Sequence, residues 1–151
     1  LVLVELSNHA EIVAAEGRLM GDRALVVAAS QLSSVVRESD TVCRVADTRF
    51  ALLVEAPYRS VLLKALAQHV IAKGLAGAHP VPLHLAPRYR VVTLALPDTS
   101  GAVPIAEEMN VELLLTRLHR AMDRLDPKKA VLHLPLPSQP AAPAVQQAEA
   151  A

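Results

Sequence analysis
Tryptophan is absent from this 151-residue chain, and one phenylalanine and two tyrosines are all that remain of the large aromatics. A core of stacked rings is excluded, so Leu, Val, Ala and Ile must fill the interior. A single cysteine, Cys43, excludes an internal disulfide. It lies in an apolar run, which predicts a buried thiol in a reducing compartment. No apolar run approaches the roughly 18–20 residues needed to span a bilayer, and no signal-peptide pattern is present, so no membrane insertion is expected. Fifteen basic and fifteen acidic side chains cancel. No global field favours DNA, RNA or an anionic membrane, and an anionic ligand must be held by local contacts. Six histidines are scattered without H-x-x-x-H or C-x-x-C spacing, which argues against a zinc site.

What is present is aliphatic: 52% of the chain is hydrophobic, and its length suffices for one domain with a real core. Residues 1–6 form an apolar strand interrupted only by Glu5, and the chain opens inside it, as expected of a segment cut from a longer protein. Residues 8–16 are weakly helical, and Gly17 and Gly21 bracket a loop. From Asp22, read as an N-cap, Leu25, Ala29, Leu32 and Val36 recur at helical spacing and predict a helix to about Glu38. Residues 42–46 and 50–54 are apolar runs around the break Asp47-Thr48-Arg49, the spacing of a tight β-hairpin with both strands largely buried. Ser60 is placed to cap a second helix carrying Leu62, Leu63, Leu66, Val70 and Ile71, ended by Gly74 and Gly77. Residues 81–85 and 91–96 read as strands. Asn110 caps a third helix striped by Val111, Leu114, Leu115, Leu118, Met122 and Leu125 and stopped by Pro127. Residues 130–134 close the pattern as a strand. Residues 135–151 are rich in Pro, Ala and Gln without an apolar period, which predicts a disordered tail or linker after a folded domain at 1–134. Strands and helices mixed in this order imply an α/β (α+β) fold, one mixed sheet flanked by helices.

Residues 40–54 read Asp-Thr-Val-Cys-Arg-Val-Ala-Asp-Thr-Arg-Phe-Ala-Leu-Leu-Val. This stretch resembles the signature hairpin of the GGDEF family, the diguanylate cyclases, which usually runs D-x-V-A-R-x-G-G-D/E-E-F-A. The element order is also similar to that family's fold, a relative of the nucleotide-cyclase and polymerase palm domains. The five signature positions are Ala46, Asp47, Thr48, Arg49 and Phe50, and only the phenylalanine agrees. Elsewhere the resemblance puts Glu5 where a metal-binding Asp is expected, Ala10 at a phosphate-binding Lys and Val13 at a guanine-binding Asn. Gly21-Asp22-x-x-Leu25 agrees with the family, although a helix cap explains Asp22 without any nucleotide. Thr48 replaces the second metal carboxylate and Arg49 the neighbouring acid. Lys128-Lys129 falls near a phosphate-binding basic residue of the family, without its usual G-R-N. Phosphoryl transfer needs metal ions to neutralise the triphosphate, so this pattern predicts no enzyme, no metal and no cofactor.

Arg37-Glu38-Ser39-Asp40 supplies R-x-x-D. In the GGDEF family that tetrapeptide, six residues before the signature, is the inhibitory site for the product cyclic di-GMP, and Asp40 stands six positions before Ala46. Eleven Arg and six Asp would give about 0.4 such matches by chance, so the register carries the weight. A further match, Arg120-x-x-Asp123, falls mid-helix on a face read as solvated. Arg59, Lys64 and Lys73 are candidates to complete the ligand site. A turn capped by Asp40, with Arg37 favourably placed near a helix C-terminus, explains the same residues without a ligand.

The resemblance therefore implies a catalytically inactive GGDEF domain acting as a cyclic di-GMP receptor in bacterial signalling of the biofilm and exopolysaccharide kind. Its expected partners are cyclic di-GMP, other domains of a larger parent protein, and a secretion or signalling protein. Its expected place is the cytoplasm, including as the cytoplasmic domain of an inner-membrane protein. The alternative is a nucleotide-free degenerate domain serving protein interaction or dimerisation.

Overall fold
The computed structural model describes residues 1–54, 60–76, 81–96 and 110–134. The predicted tail at 135–151, together with Arg59, lies outside the described residues. The elements are β1 (Val2–Leu6), α1 (His9–Glu16), α2 (Arg18–Val35), β2 (Thr41–Ala46), β3 (Arg49–Leu53), α3 (Ser60–Ala76), a 3-10 turn (Leu83–Leu85), β4 (Tyr89–Leu94), α4 (Val111–Arg124) and β5 (Val131–Leu134). The strands form one sheet in the order β2-β3-β1-β4-β5. All pairs are antiparallel except β4 with β5, which is parallel. This is the mixed sheet with flanking helices that the sequence predicts.

The near-continuous apolar run of β1 follows from its central place, since both of its faces are covered. Val2, Val4 and Leu6 enter one core with Ile12, Leu25, Leu32, Phe50, Leu52, Leu63, Val70 and Val91. Leu1 and Leu3 enter a second core with Val92, Leu94, Leu114, Leu118 and Met122. Helices α1 to α3 therefore cover one face and α4 the other. Asn110 caps α4 as predicted, its side-chain oxygen accepting from the Glu112 N–H at 2.9 Å.

Five local expectations are corrected. Residues 81–85 form a bend and a 3-10 turn instead of a strand: β1 already has β3 and β4 as neighbours, and Pro82 has no N–H to give a ladder. Helix α2 starts at Arg18, so Asp22 lies inside it rather than capping it. The break is made by Gly17 alone, at φ +87°, while Gly21 is the point of close approach to α1, where an added Cβ would lie 2.4 Å from Val13 Cγ2. Gly74 likewise sits within α3 instead of ending it. Finally, Cys43 is exposed. It is the cross-strand neighbour of Ala51, which pairs with Leu3 on the α4 face, and edge strand β2 lies beyond the strands that α4 covers.

Candidate functional site
Sheet register assembles a cluster of charged side chains. Glu5 has Arg49 of β3 as its neighbour on one side and Arg90 of β4 on the other. All three side chains therefore share the α4 face, where opposite charges across strands attract. Arg49 Nε donates to Glu5 Oε1 at 2.9 Å. Its Nη2 donates to Asp123 Oδ1 at 2.5 Å and its Nη1 to His119 Nδ1 at 3.0 Å, both on α4. Arg90 Nη1 stands 3.4 Å from Glu5 Oε2, and Arg90 Nη2 donates to the carbonyls of Met122 and Leu125 at the end of α4. The side chains of Glu5 and Arg49 are 13% and 17% exposed, so this pairing runs largely out of water. Burial alone would lower the Arg49 pKa, but hydrogen bonds and charge from Asp123 and Glu5 outweigh it and hold the guanidinium above its ordinary value. The Arg49 hydrogen bond, with its charge, draws the Asp123 carboxyl below the usual range.

The hairpin tip is fixed by its own backbone. The ladder slips between Arg44 and Ala46, a bulge before the two-residue turn Asp47-Thr48. Arg44 donates to the Ala46 and Asp47 carbonyls at 3.3 and 2.6 Å, and the Thr48 carbonyl accepts from the Leu6 N–H at 2.9 Å. Nearby, buried Asn8 donates to the Leu85 and Ala86 carbonyls at 3.3 and 2.9 Å and accepts from the Arg88 N–H at 2.9 Å. That clamp shapes one side of a cavity of about 430 Å³ lined by Ser7, Asn8, Arg88, Arg90, Lys128 and Lys129. Arg88 is itself paired with Glu11. Asp22 is exposed on α2 and lines a separate groove of about 380 Å³ with Leu25, Arg44 and Phe50, while Val13 packs on Gly21.

Arg37 and Asp40 are brought together in the turn between α2 and β2. The Asp40 carboxylate accepts the Arg37 backbone N–H at 2.8 Å, and the Arg37 carbonyl accepts the Asp40 N–H at 3.1 Å. The Arg37 side chain is exposed and Asp40 half-buried. Neither described basic candidate joins them. Lys64 lies near enough to His133 of β5 to lower its pKa, after burial, the larger cause, and β5 is the sheet edge opposite β2. Lys73 adjoins Gly74, which packs on Tyr89 and Pro87. Tyr89 pairs with Leu6, whereas the 37–40 turn feeds Thr41, which pairs with Leu53 at the other end of the strands.

Residues 1–129 match the family model described as "Diguanylate cyclase, GGDEF domain". The chain belongs to the GGDEF family. Solved structures share the fold of this GGDEF domain. An EAL/GGDEF domain protein from M. capsulatus is 20% identical at TM-score 0.66, covering 87% of this chain and 81% of that one. Diguanylate cyclase SiaD from Pseudomonas aeruginosa, solved with its activator SiaC, is 18% identical at TM-score 0.69, covering 89% of this chain and 48% of that one. The present chain thus spans less than half of SiaD. The GGDEF domain of DgcB from Caulobacter crescentus, solved with c-di-GMP, is 10% identical at TM-score 0.66, covering 87% and 75%. No curated protein matches the chain.

Family membership corrects the expectation that the chain is not an enzyme. The matching family is that of the diguanylate cyclases, and the departures at Val13, Thr48 and Arg49 do not take the chain out of it. The divalent metal implied by the family is a separate matter, and the residues at Glu5 do not fit it. Both Glu5 oxygens face guanidinium groups, and among the described residues no group of three or more His, Cys, Asp and Glu side chains is placed to hold a metal ion. Among the described residues no helix is long and apolar enough to cross a membrane.

Reading along the sequence missed the partners of Arg49. Asp123 belongs to the R-x-x-D match read as solvated, yet it bonds to Arg49. Its signal was the i, i+4 spacing of His119 and Asp123, which puts both on one face of α4. Arg90 is mostly buried, against Glu5 and the end of α4.

Proposed function
We propose that this GGDEF domain serves cyclic di-GMP signalling as a receptor, binding the dinucleotide at the turn that carries Arg37 and Asp40. The observation that carries the reading is the turn itself. Two reciprocal hydrogen bonds at 2.8 and 3.1 Å hold the two residues at a fixed spacing, six positions before the hairpin signature. The exposed Arg37 guanidinium has the fork geometry for guanine O6 and N7 or for a phosphate, and the Asp40 carboxylate can accept from guanine N–H groups. With zero net charge, affinity must come from such contacts rather than from a broad field. Arg59 is the remaining candidate for a second cation. The similar fold of DgcB, solved with c-di-GMP, supports the ligand class at the level of fold. The reading places the domain in the cytoplasmic part of a larger bacterial protein, in regulation of the biofilm or exopolysaccharide kind.

Calorimetric titration of the domain with cyclic di-GMP tests this. Saturable heat in the wild type that is lost or strongly weakened in Arg37→Ala supports the receptor reading. No heat in the wild type, or equal heat in both, overturns it and leaves the protein-interaction module in its place.

A further inference from the structure
The position of Glu5 in the family's pattern calls for a divalent ion, and this chain sets a guanidinium there. Arg49 reaches from β3 to β1 and α4 at once, with Nε on Glu5, Nη2 on Asp123 and Nη1 on His119. Every nitrogen of its head group is thus engaged. Arg90 closes the other side of Glu5. A Mg²⁺ or Mn²⁺ ion would need carboxylate oxygens facing it and would meet two cations beside the only carboxylate of β1.

We infer that the Arg49 guanidinium is the resident cation of this site, cross-linking Glu5 of β1 to Asp123 and His119 of α4 where a divalent ion would otherwise sit, so that the folded domain holds no divalent ion at Glu5. An arginine suits this role because its planar fork serves several acceptors at fixed angles, whereas a lysine offers one point charge. The pairing also explains why two guanidinium groups are tolerated so close together. Glu5 lies between them, Asp123 balances the second charge, and the carbonyls of Met122 and Leu125 take Arg90 Nη2. The inference is independent of the Arg37–Asp40 turn, which lies before the opposite end of β2.

The test is Mn²⁺ binding to the purified domain, read from the free-ion paramagnetic resonance signal, with urea unfolding alongside. The wild type is expected to leave the free-ion signal intact and to show the same unfolding midpoint with and without Mn²⁺. Arg49→Glu, which sets a second carboxylate opposite Glu5, is expected to remove one equivalent of ion and to gain stability when Mn²⁺ is added. Depletion of one equivalent by the wild type, abolished by Glu5→Gln, would overturn the inference. Should Arg49→Glu fail to fold, the double-mutant cycle of Glu5→Gln and Arg49→Met decides the cross-link. The double variant is expected to be more stable than the sum of the single losses implies, because each single variant strands a partner. Strict additivity would show that the two side chains are not coupled.

Discussion

The Arg37 backbone N–H donates to the Asp40 carboxylate at 2.8 Å, so the residue offered to a ligand also builds the turn that presents it. The two roles separate by substitution. Asp40→Asn keeps a side-chain oxygen for the Arg37 N–H and removes only the charge. It should preserve the unfolding midpoint and weaken cyclic di-GMP binding. Asp40→Ala removes the acceptor too and should cost about 0.5–1.5 kcal/mol of stability in addition. Calorimetry beside urea unfolding checks both. Unchanged binding by Asp40→Asn would show that the carboxylate serves the turn alone.

Arg37→Ala should cost little stability, since the side chain is exposed and both hydrogen bonds that close the turn use the Arg37 backbone. Loss of a charge-assisted bidentate contact is worth about 1.5–3 kcal/mol, or roughly 10- to 150-fold in affinity. Arg120→Ala is the control. Arg120 is exposed on α4 and belongs to another R-x-x-D match, so its removal should leave the affinity as it was. An equal effect of both variants would mean that general charge, not the turn, drives binding.

How much was legible along the chain follows the range of each interaction. The central strand, the hairpin and α4 were written as local pattern: an unbroken apolar run, two runs around a polar break, and a stripe behind Asn110. The turn joining Arg37 to Asp40 spans three residues, and a cap there was foreseen as an alternative. The 3-10 turn at 83–85 was read as a strand because its apolar letters do not reveal that the neighbouring strand positions are already filled. Exposure of Cys43 depended on how far α4 extends over the sheet. The Arg49 bonds to Glu5 and Asp123 join residues 44 and 74 positions apart, so only the fold assembles them.

Tyr89 should govern an alkaline limb of stability. Its hydroxyl donates to buried Gln31 Oε1 at 2.6 Å, and burial raises its pKa well above the ordinary tyrosine value. A group whose folded pKa is raised stabilises the fold fully below its unfolded pKa, about 10, and that contribution falls as pH rises from there towards the folded value. Unfolding midpoints should therefore drop above about pH 10. Tyr89→Phe should flatten this limb while costing about 1–3 kcal/mol at neutral pH, because Gln31 Oε1 is left buried without its donor. In a Tyr58→Phe background, Tyr89 is the only tyrosine, and its ultraviolet titration should coincide with unfolding. Ionisation at an ordinary tyrosine pKa without unfolding would contradict the burial.

Gly74→Ala should destabilise the domain although alanine is the better helix former. The intrinsic gain in a helix interior is about 0.8–1 kcal/mol. Against it, a Cβ at Gly74 would lie 2.7 Å from the Tyr89 ring and 2.8 Å from the Pro87 carbonyl oxygen. The ring is tethered through its hydroxyl to Gln31, and the carbonyl is backbone beside Arg88, so neither yields as a free side-chain tip would. Overpacking of this kind costs about 1–3 kcal/mol, and the net effect should be a loss. Gly21→Ala provides the comparison. Its Cβ meets Val13 Cγ2 at 2.4 Å and His9 Nε2 at 3.0 Å, both side-chain ends that can move. Urea unfolding should therefore rank Gly74→Ala below Gly21→Ala. Because Pro87 precedes Arg88, the Gly74 variant should also disturb the Asn8 clamp, visible as faster amide exchange at Arg88. A Gly74→Ala domain more stable than the wild type would show that α3 packs less tightly against β4 than these distances require.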